Sequence, residues 1–179
     1  MENRKIRYSK HVLKESLSEL LKTKKVSEIT VRELCELADL NRSTFYAHYE
    51  DIYSLFDEYE NDFISSLPVI LDEDIDLKTA IRNLIAFSKE NIHLVRAFTY
   101  DGHLCTKMNE RSIALWSREK ERTPKQRSAF IFLSHYFTMG LFDSLIYWIS
   151  EENALTLDDV TDIVCEAFEA LTDIRLRWS

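Results

Sequence analysis

A short run of polar side chains between residues 42 and 48 could form hydrogen bonds to nucleic acid: Arg42, Ser43, Thr44 and His48. A guanidinium group can donate two hydrogen bonds to guanine O6 and N7 in the major groove. Reading bases in this way requires a helix with a polar outer side and a second helix that holds it in place. The chemistry of this run is therefore recognition by hydrogen bonding, if the flanking residues form those two helices.

The residues before this run contain the signals of such a helix pair. Thr30 and Glu33 have the spacing of a capping box, which predicts the start of a helix. Ala38 is small enough to lie where two helices cross, and Asp39 can adopt a left-handed backbone, though less easily than glycine. Residues 30–49 are therefore predicted to form a helix-turn-helix. The alternative is an ordinary helical hairpin whose polar face only meets water.

Composition favours an all-α protein. The 179 residues include 2 glycines and 2 prolines, far below the averages of about 7% and 5%. Sheets and tight turns use these residues, so long helices joined by short polar loops are expected. The three cysteines, Cys35, Cys105 and Cys165, are odd in number and widely spaced. This spacing favours buried thiols over disulfides or a metal site.

The termini and apolar runs indicate a cytoplasmic protein with no membrane partner. No apolar run approaches the roughly 18 residues needed to cross a bilayer. The amino terminus, MENRKIR, contains no apolar core of a signal peptide.

Charge is distributed unevenly along the chain, whose net charge is −8. Residues 1–50 carry 10 Lys and Arg against 8 Asp and Glu, whereas residues 51–179 carry 13 against 23. A basic head on an acidic body is compatible with binding DNA through the head. The cations nearest the amino terminus could form a phosphate-contacting arm or an ordinary solvated terminus; they are Arg4, Lys5, Arg7 and Lys10.

Apolar residues at helical spacing predict further helices. The first covers roughly residues 8–24, and a longer one begins at Asp51 and fades near Pro68. An acidic linker over residues 72–76 is predicted to separate head from body. The remaining helices are expected at about 77–90, 92–100, 106–121, 125–150 and 156–176.

Residues 8–66 resemble the DNA-binding domain of the TetR family of bacterial transcriptional regulators. The matching features are ITVREL at residues 29–34, TFYAHY at residues 44–49, and a following helix that contains Leu55. The resemblance implies a three-helix DNA-binding domain at residues 1–50, with the start of the connecting helix to about residue 66. Residues 51–179 would form a helical-bundle domain for effector binding and dimerisation.

The resemblance also implies particular DNA contacts. Arg42, Ser43 and Thr44 fall where base-edge contacts lie, and Arg32 matches a position that reaches a base or a phosphate. Tyr46, His48 and Thr30 match phosphate contacts, with Lys10 as a further candidate in the arm. His48 also has an alternative role in capping or packing.

Two positions depart from the family pattern. Asp39 stands where the family usually has glycine, which affects the turn. Ile52 stands where the family usually has lysine, so one phosphate contact is expected to be missing, with the amino-terminal arm as a substitute.

The body resembles the family less strongly. The sequence HYFTMGLF at residues 135–142, followed by YWI at residues 147–149, is similar to a subgroup that contains regulators of dihydroxyacetone-kinase operons. Gly140 in the middle of a helix suggests close helix–helix approach, because glycine costs about 1 kcal/mol there relative to alanine. The last two helices are expected to form a two-fold dimer interface, unless both apolar stripes are used inside one subunit. The interface candidates are Gly140, Leu141, Ser144, Trp148, Ile163, Ala167, Phe168 and Leu171.

Family members commonly hold an effector among the middle helices. The candidate lining is mostly aromatic, although plain core packing would explain the same residues: Phe87, Phe98, Tyr100, His103, Trp116, Phe130 and Tyr136. We expect no cofactor and no metal, because the acidic linker lacks the glycine and terminal glutamate of a calcium loop.

The expected function is a ligand-responsive repressor that binds a palindromic operator as a homodimer. The sequence contains no phosphate-binding loop, zinc-protease motif or nucleophile elbow, so an enzyme is not expected. The alternatives are a helical adaptor, or an activator that works with a partner protein and lacks a small-molecule effector.

Overall fold

The structure is a computed structural model that describes residues 4–67, 75–116, 123–151 and 154–177, without the side chains of residues 112–116 and 171–177. These ranges contain nine α-helices and no strand, which confirms the predicted all-α class. The helices are α1 (Arg4–Leu21), α2 (Val31–Leu37), α3 (Arg42–Tyr46), α4 (Ile52–Ser66), α5 (Leu77–Glu90), α6 (Ile92–Tyr100), α7 (Leu104–Trp116), α8 (Pro124–Ser150) and α9 (Leu157–Arg177).

The head consists of α1, α2 and α3 packed against the start of α4. Leu13 and Leu17 of α1 are fully buried, together with Leu34 of α2 and Phe45 of α3. Burying such side chains stabilises the fold by roughly 1.5–3 kcal/mol each. This shared apolar core fixes the short helix α3, which could not be stable alone at 5 residues.

Helix α1 lies earlier in the chain than the predicted range of 8–24. It begins at Arg4, so the basic residues expected in an extended arm lie on its first turns. It also ends at Leu21, three residues earlier than predicted, so Lys22, Lys24 and Lys25 follow the helix. Charged and apolar residues continue to alternate beyond both ends of α1. The apolar periodicity alone therefore did not show where the helix begins or ends.

Helix α2 begins where the capping signal predicted, but the capping box is only half formed. The Thr30 hydroxyl accepts a hydrogen bond from the Glu33 backbone N–H at 3.2 Å. The Glu33 carboxylate instead pairs with Lys24 at 2.5 Å. The ion pair with Lys24 therefore takes the place of the hydrogen bond that the Glu33 carboxylate would accept from the Thr30 backbone N–H in a complete capping box.

Helix α4 continues from the head into the body. Its rings Phe56, Tyr59 and Phe63 each pack on Phe98 of α6, with centroids 5.0, 5.7 and 5.3 Å apart. Phe87 of α5 joins the same cluster through Phe63. The two regions therefore share a continuous apolar core, and α1 also packs against α6.

The body helices have the predicted order, with α7 beginning at Leu104 and not near residue 106. Helix α8 starts with a capping box between Thr123 and Gln126, and Pro124 occupies its first turn. Thr156 caps α9 by accepting from the Asp159 backbone N–H at 3.2 Å. The acidic linker at residues 72–76 lies mostly outside the described residues.

Helix α8 is unusually long and apolar. Among the described residues it is the one helix that is long and apolar enough to cross a membrane, by length and composition alone. This finding corrects the expectation that no apolar stretch is long enough to do so. Polar residues such as Thr138 interrupt the apolar run, so counting consecutive residues overlooked it. In the structure one side of α8 packs on α6, α7 and α9.

Candidate DNA-binding surface

Helix α3 is held by its aromatic residues and presents its polar ones. Phe45 is fully buried, and its ring packs edge-on against Tyr46 and at a tilt against Tyr49. Arg42 and Ser43 are exposed on the first turn, and Thr44 is half-buried. The predicted base-contacting residues therefore begin one helix that is anchored from behind.

The turn between α2 and α3 has the left-handed residue that was predicted. Asp39 has a φ of 50°, which L-residues other than Asn and Asp rarely adopt. The Leu40 N–H donates to Cys35 O at 3.0 Å, and the Asp39 N–H donates to Glu36 O at 3.4 Å. These two bonds form a Schellman motif, the usual way in which a helix ends before a sharp turn.

A surface depression of about 510 Å³ lies between α2 and α3. Its lining includes Arg32, Glu36, Asp39 and Arg42. Arg32 Nε donates to Glu36 Oε1 at 2.7 Å, one turn along the same helix. The glutamate raises the pKa of Arg32 through this hydrogen bond. Arg32 thus belongs to the same surface as Arg42. Its guanidinium is paired with Glu36, a residue that the sequence analysis did not single out.

The predicted phosphate contacts differ in their surroundings. Tyr46 is 59% exposed, so its hydroxyl can reach a ligand. His48 is half-buried with its ring 6.4 Å from that of Tyr49, which agrees with the packing alternative. The Thr30 oxygen accepts the capping bond of α2, and its hydrogen can still be donated.

Lys10 is half-buried and pairs with residues of its own chain instead of extending from a free arm. Its Nζ atom lies 2.9 Å from Glu58 Oε2 and 5.4 Å from the centroid of the Tyr49 ring. Lys14 Nζ lies 2.6 Å from Glu58 Oε1 and 2.5 Å from Asp62 Oδ2. These contacts join α1 to α4.

The same network lowers the pKa of Glu58 to about 2. Partial burial acts in the opposite direction, but it is outweighed by hydrogen bonds from Lys14, Lys10 and Tyr49. The sequence signal was a pair of lysines four residues apart facing a pair of acids, Glu58 and Asp62, four residues apart. Only the packing of α1 on α4 shows that the two pairs meet.

The start of α4 explains the departure at Ile52. Its side chain is buried at 6% exposure, whereas the next residue, Tyr53, is 54% exposed. Asp51 and Ser54 form a reciprocal capping box at this end. An apolar residue at position 52 therefore completes the core of the head, and Tyr53 is the side chain that can reach outwards.

A buried carboxylate joins α4 to the turn before α7. Glu60 is fully buried, and its Oε1 atom accepts from the His103 backbone N–H at 2.6 Å. Lys107 Nζ donates to Glu60 Oε2 at 2.7 Å and to Asp57 Oδ1 at 2.6 Å. A Cβ atom on Gly102 would lie 2.5 Å from Glu60 Oε1, so the turn passes against the carboxylate without room for a side chain.

The effector candidates differ widely in exposure. Phe98 is fully buried in the cluster around α4, and Phe87 packs at its edge. Tyr100 and Tyr136 are 59% and 67% exposed, and the Tyr100 hydroxyl donates to Asp143 Oδ1 at 2.7 Å. The others are the exposed His103 and the half-buried Phe130, while the side chain of Trp116 lies outside the described residues.

The dimer candidates divide into two groups. Leu141 is buried, Phe168 packs on Phe137, and Trp148 donates from Nε1 to Leu155 O at 3.1 Å, so these three have contacts within their own subunit. The exposed members are Gly140, Ser144, Ile163 and Ala167, and the side chain of Leu171 lies outside the described residues.

Among the described residues of one subunit, no neighbouring helix approaches Gly140 closely, so the close approach that this glycine suggested remains a prediction for the dimer interface. A Cβ added there would have no atom within 4 Å.

Comparison with known proteins supports the fold. No family model matches the chain. A curated relative, the uncharacterized HTH-type transcriptional regulator YxbF of Bacillus subtilis (strain 168), is 22% identical over 181 residues. The alignment covers 93% of this chain and 45% of that protein, so the chain spans about half the length of this relative.

Three solved structures match along nearly the whole chain. A TetR transcriptional regulator from Streptococcus agalactiae 2603V has a TM-score of 0.66 at 21% identity, covering 90% of this chain and 96% of that one. The dihydroxyacetone kinase operon activator DhaS has a TM-score of 0.60 at 13% identity, covering 93% and 97%. The TetR family repressor AlkX from Dietzia sp. strain DQ12-45-1b has a TM-score of 0.52 at 15% identity, covering 92% and 95%. The chain therefore has the fold of TetR-type transcriptional regulators, as the resemblance of residues 8–66 predicted.

Proposed function

We propose that this protein is a DNA-binding transcriptional regulator that reads its operator with α3. The observation that carries the proposal is the position of Arg42 and Ser43. Both are exposed at the start of a helix that is anchored by the buried Phe45 and set by the left-handed turn at Asp39. This is the arrangement in which the second helix of a helix-turn-helix enters the major groove.

Individual roles follow from side-chain chemistry. Arg42 donates to guanine O6 and N7, and Ser43 and Thr44 contact neighbouring base edges. Phosphates are contacted by Tyr46, His48 and Thr30, and Arg32 contacts a phosphate or an adjacent base. Lys10 can reach a phosphate only by leaving Glu58. Tyr53 adds a further hydroxyl at the start of α4.

The protein acts as a homodimer through α8 and α9. Phe132, Tyr136 and Tyr147 of α8 are 70%, 67% and 69% exposed. Their spacing of four and eleven residues places them on one face of the helix. Gly140 opens the same region to close approach, and Ile163 of α9, 53% exposed, extends it. A second copy would cover these apolar side chains and present two α3 helices to a palindrome.

An effector would act by changing the position of α4, which the buried Glu60 ties to the body. We infer a cytoplasmic, ligand-responsive repressor that is not an enzyme. An activator that works with a partner protein is the second candidate, because one protein of this fold is named an activator and another a repressor.

Selection of bound DNA from a random pool at about 100 mM salt tests the proposal, since phosphate contacts depend strongly on salt. We expect a palindrome whose half-sites are about 34–36 Å apart, one helical turn. Failure to enrich any sequence would reject the regulator and favour a helical adaptor. Release of the selected DNA by a cell extract depleted of protein would support the small-molecule effector, and lack of release would favour the partner protein.

A further inference from the structure

The Arg32–Glu36 pair is placed where DNA would bind, yet it contributes little to folding. The two side chains are 71% and 65% exposed. Ion pairs as exposed as this add little to stability, because water screens them and ordering two long side chains opposes them. A carboxylate at this position also repels the phosphate backbone. The position of Glu36 therefore calls for a role other than stabilising α2.

Glu36 lines the same depression as Arg42, the proposed base reader. Within the described part of the chain, Arg42 makes no ion pair, whereas Arg32 is paired with Glu36. The depression thus contains the guanidinium of Arg42, which is available to DNA, and the carboxylate of Glu36, which is paired with Arg32 on the same helix. A surface that only bound phosphates would need cations alone.

In the major groove these two groups recognise different bases. A guanidinium donates to guanine O6 and N7, and a carboxylate accepts from the N4 amino group of cytosine. Resting on the proposed function, we propose that Glu36 is a specificity-determining residue that accepts a hydrogen bond from a cytosine amino group in each half-site.

The pair with Arg32 gives Glu36 two states. In the free head, Arg32 neutralises the carboxylate. On matching DNA the carboxylate turns to the cytosine and releases Arg32 to a phosphate. On other DNA sequences the Glu36 carboxylate either faces hydrogen-bond acceptors of the bases or stays paired with Arg32. In both cases the hydrogen bond to cytosine is lost. Glu36 thereby weakens binding to random DNA more than binding to the operator.

Selection experiments with Glu36→Gln test this role. Glutamine pairs with adenine N6 and N7, so we expect the enriched base at one position of each half-site to change from cytosine to adenine. The preference for the best wild-type site over random DNA should fall about tenfold, the effect of losing one good base contact. Glu36→Asp keeps a carboxylate and should keep the preference for cytosine.

Glu19→Gln is the matched control, because it removes the same charge from an exposed glutamate that is paired with a cation three residues away in the chain. Glu19 pairs with Lys22 at 2.5 Å and acts on His93 of α6, so it lies towards the body. This variant should keep the wild-type base preference.

An Arg32→Gln background separates direct reading from an effect through Arg32. The change from cytosine to adenine should persist there. Three results would overturn the role of Glu36 without touching DNA binding itself. They are an unchanged base preference in Glu36→Gln, loss of the cytosine-to-adenine change in the Arg32→Gln background, and the same change in Glu19→Gln. Failure of the wild-type protein to select any DNA would overturn the proposed function, and this proposal with it.

Discussion

At the scale of single residues, the head depends on a turn that uses Asp39 where glycine is easier. Its φ of 50° places Cβ near the following carbonyl, which costs roughly 1–2 kcal/mol for most L-residues and less for aspartate. The turn nevertheless sets Arg42 beside Arg32 in the depression between α2 and α3. One strained residue therefore lies directly before the surface that is proposed to read DNA.

Asp39→Gly should stabilise the protein, because glycine adopts this conformation without the Cβ clash. We expect the free energy of unfolding in urea to rise by about 0.5–1 kcal/mol, after part of the gain is lost to the greater freedom of unfolded glycine. Asp39→Ala should lower it by a similar amount. An increase with alanine would show that φ at this position is not what limits stability.

Arg42→Ala should weaken binding to the selected operator by about 1–3 kcal/mol and relax the preference at one base position. The physical reason is the loss of two hydrogen bonds to one guanine. Titration of the operator and of variants at each position measures both effects. An equal loss on every sequence would make Arg42 a phosphate contact.

At the scale of elements, α4 is joined to its neighbours by two polar networks. Lys10 and Lys14 of α1 hold Glu58, and the turn before α7 holds the buried Glu60. The first network fixes α4 to the head, and the second fixes it to the body. Any movement of α4 between two states would have to rearrange one of them.

The network around Glu58 predicts acid sensitivity. The pKa of Glu58 is lowered from 4.5 to about 2, so its stabilising effect is present above about pH 4.5 and is lost as pH falls towards 2. Stability of the wild-type protein should therefore decline more steeply over this window than that of Glu58→Gln, as measured by urea unfolding at each pH. Parallel curves for the two proteins would contradict the lowered pKa.

Gly102→Ala should destabilise the junction of α4 with α7. The added Cβ would lie 2.5 Å from Glu60 Oε1 and 3.0 Å from Phe98 O, so a buried carboxylate and a backbone turn must shift. We expect a loss of about 1–3 kcal/mol in unfolding free energy, typical of overpacking. The loss should be smaller when the change is made in a Glu60→Ala background, because the nearest atom is then absent. Strict additivity of the two changes would show that Gly102 and Glu60 do not interact.

At the scale of the whole molecule, the basic and the acidic parts of the chain have separate locations. The net positive charge of residues 1–50 favours the head for DNA, and the acidic remainder disfavours binding elsewhere. Among the described residues, helix α8 carries the three most exposed aromatic rings, Phe132, Tyr136 and Tyr147, while the head exposes Tyr46 and Tyr53 beside its polar residues. The separation of charge fits a dimer that is joined at the body and binds DNA with both heads.

Tyr136→Glu should break the dimer, because it places a charge in the apolar face of α8, where Tyr136 is 67% exposed in the single chain. Light scattering at micromolar concentration should change from dimer to monomer, and affinity for the full palindrome should fall to that for a half-site. Tyr53→Glu, at an aromatic residue 54% exposed on α4, should leave the mass unchanged. A dimer that survives Tyr136→Glu would place the interface elsewhere.

The amino-acid sequence by itself determined the helices and the type of head. Apolar periodicity and the capping signal at Thr30 are local, so they marked most helix starts correctly. The string at residues 44–49 led to the TetR-type fold that the solved structures share. Asp39 was expected in the turn because few other residues tolerate its backbone.

Only the tertiary structure decided which side chains meet. Lys10 was expected on DNA, yet packing of α1 on α4 brings it to Glu58, 48 residues away in the chain. Leu141 and Trp148 were predicted at the dimer interface, and packing within the chain leaves Leu141 8% exposed and bonds Trp148 Nε1 to Leu155 O. Pairings of this kind depend on how helices pack around a common core, and no local pattern records that geometry.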